Sequence, residues 1–358
     1  APAAAPKAVT GAMTTSPVSR PGHRSAAVVV VDGAGADFPG QGTKTMKTTL
    51  NRMLLASAAM ILAGAVAISL PAPGLAQEET SISDFALDQD PPVFDDAEAA
   101  VEAFKKALAD DDFNRLAELL GLDAEKLKTD ESTMEAYGEI REGAAKRVVF
   151  DETDDRALID IGEKLWPFPF PITKGEDGKW AFDTYAGLEE IVNRRVGENE
   201  LETISTMRAY VDAQHDYAEE DRDDDGVLEF AQKLISSEGL TDGLYWEDAA
   251  SPAGEFVREA ALDKAKEGEG YFGYRYRILT GQGDRIAGGN YDFVINENMI
   301  AGFALIAWPL KYGETGVHTF MVSHHGIVYE ADLGTSTEAI VKYIDRFNPD
   351  ETWEVVPE

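Results

Sequence analysis

The stretch NELETISTMRAYVDAQHDYAEED, residues 199–221, decides the fold, because it predicts a long amphipathic helix placed before a run of strands. Asn199 is a favourable N-cap residue, and Glu202 follows three positions later as in a capping box. We therefore expect a helix that begins here and turns one face to a core. The apolar residues at helical spacing are Leu201, Ile204, Met207, Val211 and Ala218.

Downstream, a shorter helix is predicted at LEFAQKLISSEG (228–239), followed by strand-like runs and a closing helix, TSTEAIVKYIDRF (335–347). The turns within the strand region fall at GQGDRIAGG, VINENM and SHHG. A long helix before an antiparallel sheet predicts an α+β domain over residues 186–348, with a tail at 349–358. The strand-like runs are GYFGYRYRILTG (270–281), GNYDFVINENMIAGFALIAWPL (289–310) and TGVHTFMVSHHGIVYEAD (315–332).

Upstream, residues 93–185 predict a separate α+β domain of helices and a small antiparallel sheet. Asp95 or Asp96 can cap its first helix, Gly121 ends the second, and a third covers 130–145. A further helix, AGLEEIVNRRVG (186–197), opens the second half and stops at its glycine. The predicted strands are RVVFDE (147–152), RALIDIG (156–162), WPFPFPITKG (166–175) and KWAFDTY (179–185).

The segment WPFPFPI (166–172) alternates aromatic residues with proline and has two interpretations. It could be a polyproline-type ligand for another protein. Alternatively it is an edge strand or strap whose Trp166, Phe168 and Phe170 cover the core. The period of two and the tolerance of sheet edges for proline favour the strap.

The start of the sequence predicts export. Residues 1–45 are rich in Ala, Gly, Pro, Ser and Thr, and we interpret them as a non-native disordered leader. Residues 46–76 have a basic start, an apolar core and small residues before a cleavage site after Ala76, which together predict a signal peptide. An uncleaved membrane anchor is the alternative. Residues 77–92 predict a flexible entry, and the location is periplasmic or secreted.

The composition excludes several kinds of chemistry. The absence of cysteine excludes disulfides, thiolate metal sites and cysteine nucleophiles. The net charge of −34 repels nucleic acid and anionic lipid, and favours divalent cations. We expect no nucleic-acid partner, and a membrane contact only through an uncleaved signal segment.

DRDDDGVLEF (221–230) predicts a calcium site. Calcium needs six to eight oxygen ligands, and a D-x-D-x-D-G loop supplies them from alternate side chains. Gly226 fits the sharp turn, while Gln232 stands where a bidentate carboxylate is expected, so the affinity should be weak. The predicted ligands are Asp221, Asp223, Asp225, the Val227 carbonyl and Glu229. The alternative is an aspartate-rich turn that caps the next helix.

The histidines offer a second candidate site. His318 and His324 are six residues apart and share one face of a strand, which suits a metal pair. The alternative is a hairpin with His325 in the turn and His318 on a solvent-exposed face. This alternative is favoured because no acidic residue within the strand completes a set of metal ligands.

Two resemblances bear on the fold. The phrases ISTMRAYVDAQHDYAEED, GYRYRIL and GVHTFMVSHHGIVYE resemble type IV pilin and pseudopilin headgroups, and this resemblance implies a pilin-like second domain. The chain departs from pilins because a whole domain precedes the helix and no apolar stem extends it. This departure argues against polymerisation through a helical core.

A second resemblance covers nearly all of the chain after the signal peptide. The phrases WAFDTYAG, NRRVGENEL, DRDDDGVLEFAQKL, ILTGQG and AGFALIAWP resemble an exported bacterial family catalogued as domain of unknown function 2950. This resemblance implies an exported unit without a stated activity.

Two functions remain open from the sequence. The first is a non-enzymatic exported protein that acts through contacts with another envelope protein, with calcium stabilising one loop. The second is an envelope hydrolase that uses a carboxylate pair or the His318/His324 face. An enzyme needs a concave pocket where such groups converge, so the structure can separate the two.

Overall fold

The computed structural model describes residues 82–248, 250–254, 256–266 and 268–357. The predicted leader (1–45), the signal peptide (46–76) and residues 77–81 of the predicted entry lie outside the described residues. The rest of the entry contacts the fold: a short 3₁₀ helix covers Ile82–Phe85, and the Leu87 N–H donates to the Gly121 carbonyl at 2.9 Å.

The chain is mixed α+β, which confirms the predicted class. The helices are α1 (Ala97–Ala109), α2 (Phe113–Leu119), α3 (Ala124–Leu127), α4 (Glu131–Lys146), α5 (Thr184–Tyr217), α6 (Glu259–Lys266) and α7 (Thr337–Val341). The strands are β1 (Val148–Glu152), β2 (Arg156–Ile161), β3 (Trp166–Pro167), β4 (Ile172–Lys174), β5 (Trp180–Phe182), β6 (Tyr274–Leu279), β7 (Gly281–Gln282), β8 (Tyr291–Asp292), β9 (Val294–Ile295), β10 (Asn298–Met299), β11 (Ala304–Pro309), β12 (His318–Ser323), β13 (Val328–Asp332) and β14 (Glu354–Val355).

Helix starts in the first half are fixed by aspartate caps. Each of α1 to α5 begins after an aspartate whose carboxylate accepts a backbone N–H of the first turn, because those N–H groups have no partner inside the helix. The prediction for α1 is confirmed with Asp96 as its cap. The capping residues are Asp96, Asp112, Asp123, Asp130 and Asp183.

The first sheet is antiparallel in the order β1-β2-β4-β5, with β3 also paired to β2. Helices α1 to α4 pack with it around a core that includes the Phe104 and Phe168 rings, 4.8 Å apart. Phe168 and Phe170 of the proline-rich segment are buried in this core, and Trp166 packs against it. The packing therefore supports the interpretation of this segment as a strap.

The second sheet is antiparallel in the order β14-β13-β12-β11-β6. The short pairs β7–β8 and β9–β10 lie outside it. Strand β11 lies between β12 and β6 and is buried along its whole length, with Leu305 opposite Val322 on one side and Ile278 on the other. This sheet and the C-terminal half of α5 share the second core, around Met207 and Phe303.

Helix α5 corrects the prediction of two helices that meet at residues 197 to 199. It runs unbroken for 34 residues, and the predicted domain boundary at residues 185 and 186 falls in its first turn. Asn199 is not a cap, because its side-chain amide donates to the Thr315 carbonyl at 2.9 Å. Glu200 accepts the N–H groups of Val317 and His318 at 2.8 and 2.9 Å. Asn199 and its neighbour Glu200 thus bind the β11–β12 connection, and Glu202, the other residue of the predicted capping box, pairs with Arg258.

The buried stripe of α5 also differs from the predicted one. Leu201 is 70% exposed, whereas Met207 is fully buried. Ile204 and Val211 pack against the second core from partly buried positions. The large buried hydrophobic residues of this half are Met207, Tyr210 and Tyr217.

The predicted helix at 228–239 is absent, since this segment has no regular structure. Its backbone donors bind remote partners: Phe230 N–H donates to the Met299 carbonyl, and Ser236 N–H to the Tyr245 carbonyl. The hydrogen bond from Lys233 contributes most to holding the pKa of Asp242 at about 2. These tertiary contacts replace the helical ladder that the local pattern predicted.

The predicted closing helix at 335–347 is shorter than expected and ends at Val341. The Arg277 guanidinium donates to the carbonyls of Val341 and Ile344, which removes acceptors from a further helical turn. The predicted tail is partly structured, since β14 pairs with β13. Across the described ranges, no helix combines the length and the apolar character that crossing a membrane requires.

Candidate functional site

Three of the predicted calcium ligands converge in the loop that follows α5. One carboxylate oxygen from each of Asp221, Asp223 and Asp225 lies within 4.8 Å of the others. The backbone achieves this through left-handed residues, Asp224 at φ +60° and Gly226 at φ +87°. Glycine adopts that conformation without steric cost, which explains its place in the loop.

Hydrogen bonds inside the loop orient the carboxylates. The Gly226 N–H donates to Asp221 Oδ2 at 2.8 Å, and the Val227 N–H donates to Asp225 Oδ1 at 2.8 Å. Asp223 has a weaker contact, since its Oδ1 accepts the Asp225 N–H at 3.4 Å. Of the three aspartates, Asp223 therefore makes the weakest hydrogen bond within the loop, which leaves its carboxylate oxygens the most accessible to a ligand.

Glu229 and Gln232 have other partners. Glu229 Oε2 accepts the Met299 N–H at 2.9 Å, and Glu229 is not among the carboxylates that converge. Gln232, at the position where a calcium loop needs a bidentate carboxylate, donates to the Glu297 carbonyl at 2.6 Å. The protein oxygens gathered here are thus fewer than calcium's six to eight, so water would complete the shell of an ion.

The charges of the loop lack cationic partners. Among the described residues, no Lys or Arg side chain forms an ion pair with any of the three converging aspartates. The Arg222 guanidinium instead lies over the rings of Tyr217 and Trp246, at 5.1 and 5.3 Å. Burial, with a smaller contribution from Glu229, raises the pKa of Tyr217 to about 12.

One oxygen of the cluster is left without a hydrogen bond. Asp221 Oδ1 is buried and accepts no hydrogen bond from any of the described residues. A buried carboxylate oxygen without a donor or cation is costly in free energy, and a hard divalent cation would offset that cost. The donor set of three carboxylates and the orphaned oxygen therefore fit calcium.

Remote residues attach the loop to the fold, and the local sequence pattern gave no signal for them. The Asn298 side-chain amide, in the β9–β10 hairpin, donates to Asp225 Oδ2 at 2.6 Å. Gln214, buried on α5, donates to the Ala231 carbonyl and accepts the Ala231 N–H, at 2.9 and 2.8 Å. The loop therefore bridges the end of α5 and the hairpin.

The two predicted histidines have different neighbours. His318 Nδ1 lies 3.2 Å from both carboxylate oxygens of Glu200 on α5. The His324 ring packs on His325 at 4.2 Å and edge-on to Phe293 at 5.7 Å, and its Nδ1 is buried without a partner. Six residues of strand separate the two Cα atoms by roughly 20 Å. Glu200 of α5 thus supplies the acidic partner of His318 that the strand sequence lacked. The two imidazoles are too far apart to bind one metal ion.

The described residues also line a cavity of about 650 Å³ against α5. No histidine and no residue of the acidic loop lines it. The two motifs that the sequence singled out therefore lie apart from this concave surface.

The comparisons with known proteins give a family and no relative of known activity. A family model described as "Protein of unknown function (DUF2950)" matches residues 92–356. No curated protein and no solved structure matches the chain. The pilin resemblance therefore stays a prediction.

Proposed function

Because the chain belongs to the DUF2950 family, whose description states no activity, we propose a function from the candidate site itself. The protein is a non-enzymatic, exported cell-envelope protein that acts through contacts with another protein. Calcium stabilises its loop 221–229. Its location is periplasmic or secreted. The observation that carries this proposal is the convergence of three carboxylates, one with a buried oxygen that lacks any partner.

Calcium has a structural role in this proposal. Asp221 lies just beyond the end of α5, and Asp225 is bound to Asn298 of the hairpin. An ion held between these carboxylates would join the helix end to the hairpin and relieve their mutual repulsion. Few protein ligands imply weak binding, in the range of about 10⁻⁴ to 10⁻³ M that extracellular calcium modules use.

Exposed apolar side chains in this loop and in the hairpin that it contacts supply the surface for a protein partner. Leu228, Ile295 and Ile300 are 57%, 45% and 43% exposed. The Asp225–Asn298 and Glu229–Met299 hydrogen bonds hold the loop against the hairpin that carries Ile295. Fixing the loop with calcium would fix the relative positions of these side chains, and preformed apolar groups favour association.

Thermal melting with and without calcium tests the proposal. With a dissociation constant of about 10⁻⁴ M, about 2 mM calcium stabilises the folded state by roughly 1.8 kcal/mol. For a chain of this size we expect the melting temperature to rise by about 4 to 7 °C relative to a sample in EDTA.

Two single substitutions in the loop separate ion binding from simple charge removal. Asp223→Asn removes one of the converging carboxylates, and we expect it to abolish most of the calcium-dependent rise. Asp224→Asn removes the same charge at a position outside the converging set, and its rise should be retained. If calcium gives no rise, or if both variants respond like the unmodified protein, the loop is a solvated turn and the calcium role is wrong.

A further inference from the structure

A concave surface lies where the C-terminal half of α5 faces strands β6 and β11 and the segment 234–272, which includes helix α6. Its volume is about 650 Å³, within the range of roughly 300–1,000 Å³ that small-molecule sites occupy. Ala209 of α5 lies in its wall and is a small residue facing a large space. The second core therefore leaves a cavity in place of full packing on this side of the helix.

Eight aromatic side chains of the described residues line the wall, and the polar atoms of several of them form hydrogen bonds with residues outside the cavity. The Tyr276 hydroxyl donates to Thr203 Oγ1 at 3.2 Å, and the Trp308 Nε1–H donates to Glu338 Oε2 at 2.9 Å. The Tyr274 hydroxyl donates to the His318 carbonyl at 2.9 Å. These side chains therefore line the cavity with their apolar ring surfaces and not with their polar atoms.

Each charged side chain in the wall has an oppositely charged partner, either within the wall or beside it. Arg258 Nη2 donates to Glu202 Oε1 at 2.9 Å, and the Arg258 guanidinium also lies 5.2 Å from the centre of the Phe272 ring. Arg275, the other arginine that lines the cavity, pairs with Glu338 at 3.1 Å. A ligand with a net charge would have to displace one of these partners, whereas an uncharged ligand would not.

We propose that this cavity binds an uncharged, largely apolar small molecule with a ring system, whose one polar group lies against the Glu202–Arg258 pair. The ring faces favour offset or edge-on contacts with a flat apolar body. The ion pair keeps free donor and acceptor positions for a hydroxyl or carbonyl group. The inference goes beyond the proposed function and does not depend on it, since no residue of the acidic loop lines the cavity.

Fluorescence titration with N-phenyl-naphthylamine, an uncharged two-ring probe, tests this inference. We expect saturable binding with a rise in emission, and weaker binding of anilinonaphthalene sulfonate, which has the same rings and a negative charge. Ala209→Trp fills the cavity and should raise the dissociation constant of the uncharged probe by at least about tenfold. Ala339→Trp makes the same change at an exposed position of α7 outside the cavity and should leave it unchanged.

Ser205→Trp provides a second variant in case Ala209→Trp fails to fold, since Ser205 lines the cavity from an exposed position. Melting curves verify that each variant tested is folded. Three results would overturn the inference: no saturable binding of the uncharged probe, tighter binding of the sulfonate, or unchanged binding in a folded variant with a filled cavity.

Discussion

The two halves of helix α5 enter two cores of different construction. The N-terminal half contributes Leu188 and Ile191 to a core formed by the residues that directly precede it in sequence. The C-terminal half contributes Met207 to a core whose strands follow only after a long connection, residues 218–273, that contains the short helix α6. The first core is local in sequence and the second is not. Both the acidic loop and the cavity belong to the second, where the long connection leaves room for them.

Each core also contains a buried side chain that is hydrogen-bonded to a separate segment. Gln214 is fully buried in the second core and pairs with both backbone groups of Ala231, just after the acidic loop. In the first core, Thr184 is buried and its hydroxyl donates to the Leu120 carbonyl, 64 residues earlier in the chain. The bond in the second core helps to place the chain that carries the candidate site, because a buried polar group without its partner is costly.

Cavity-forming substitutions in each core should show the largest effect. Ile191→Ala in the first core and Met207→Ala in the second should each lower the free energy of unfolding by about 2–5 kcal/mol. Because one unbroken helix serves both cores, we expect a single unfolding transition in each variant, followed by circular dichroism during urea denaturation. Two transitions, with Ile191→Ala shifting only one of them, would show that the cores unfold separately.

Proline at the junction between the halves should have the next largest effect. Gly197→Pro would remove a hydrogen bond within α5 and clash with the preceding turn, at a cost of about 3 kcal/mol or more. Gly197→Ala should instead stabilise the protein by roughly 0.5–1 kcal/mol, because Gly197 is helical and an added Cβ meets no atom within 4 Å. Urea denaturation measures both changes.

A second glycine of the same helix provides the control. In Gly187→Ala the new Cβ would lie 2.0 Å from Phe170 Cδ1, so this variant should be destabilised. If Gly197→Ala proved destabilising as well, the helix would end near that residue, as the sequence pattern first suggested.

The smallest expected effect is a pH dependence confined to the second core. Burial is the main cause that lowers the pKa of His324 from its ordinary value of 6.5, and the nearby His325 and His215 lower it further. The unfolded chain therefore binds this proton more tightly, so this contribution to stability is present above pH 6.5 and is lost as the pH falls below it. We expect His324→Gln to show a shallower loss of stability than the unmodified protein between about pH 7.5 and pH 5.5.

His325→Gln provides the comparison, because it removes only the smaller contribution that His325 makes to lowering the pKa of His324, so its loss of stability should lie between those of His324→Gln and the unmodified protein. Melting temperatures across the pH range compare the two variants. An equally steep loss in His324→Gln and the unmodified protein would show that His324 does not contribute.

The sequence by itself determined the features whose partners are close along the chain. The cap at Asp96, helices α1, α2 and α4 and strands β1 and β2 follow patterns within a few residues, so propensity and periodicity suffice to locate them. The carboxylate cluster belongs to the same class. Asp221, Asp223 and Asp225 converge because one short turn, with Gly226 in the left-handed region, brings alternate side chains together.

Only the tertiary structure decided the features whose partners are remote. Gly197 and Asn199 predict a helix boundary locally, yet the contacts of Asn199 and Glu200 with residues 315–318 accompany an unbroken helix. Segment 228–239 has a helical pattern, but its donors bind distant carbonyls. The Glu200 partner of His318, the Asn298 anchor of the acidic loop and the cavity beside α5 likewise depend on which distant segments meet. The spacing of residues within a short segment does not determine these long-range contacts, because they depend on the burial and hydrogen bonding of the whole chain.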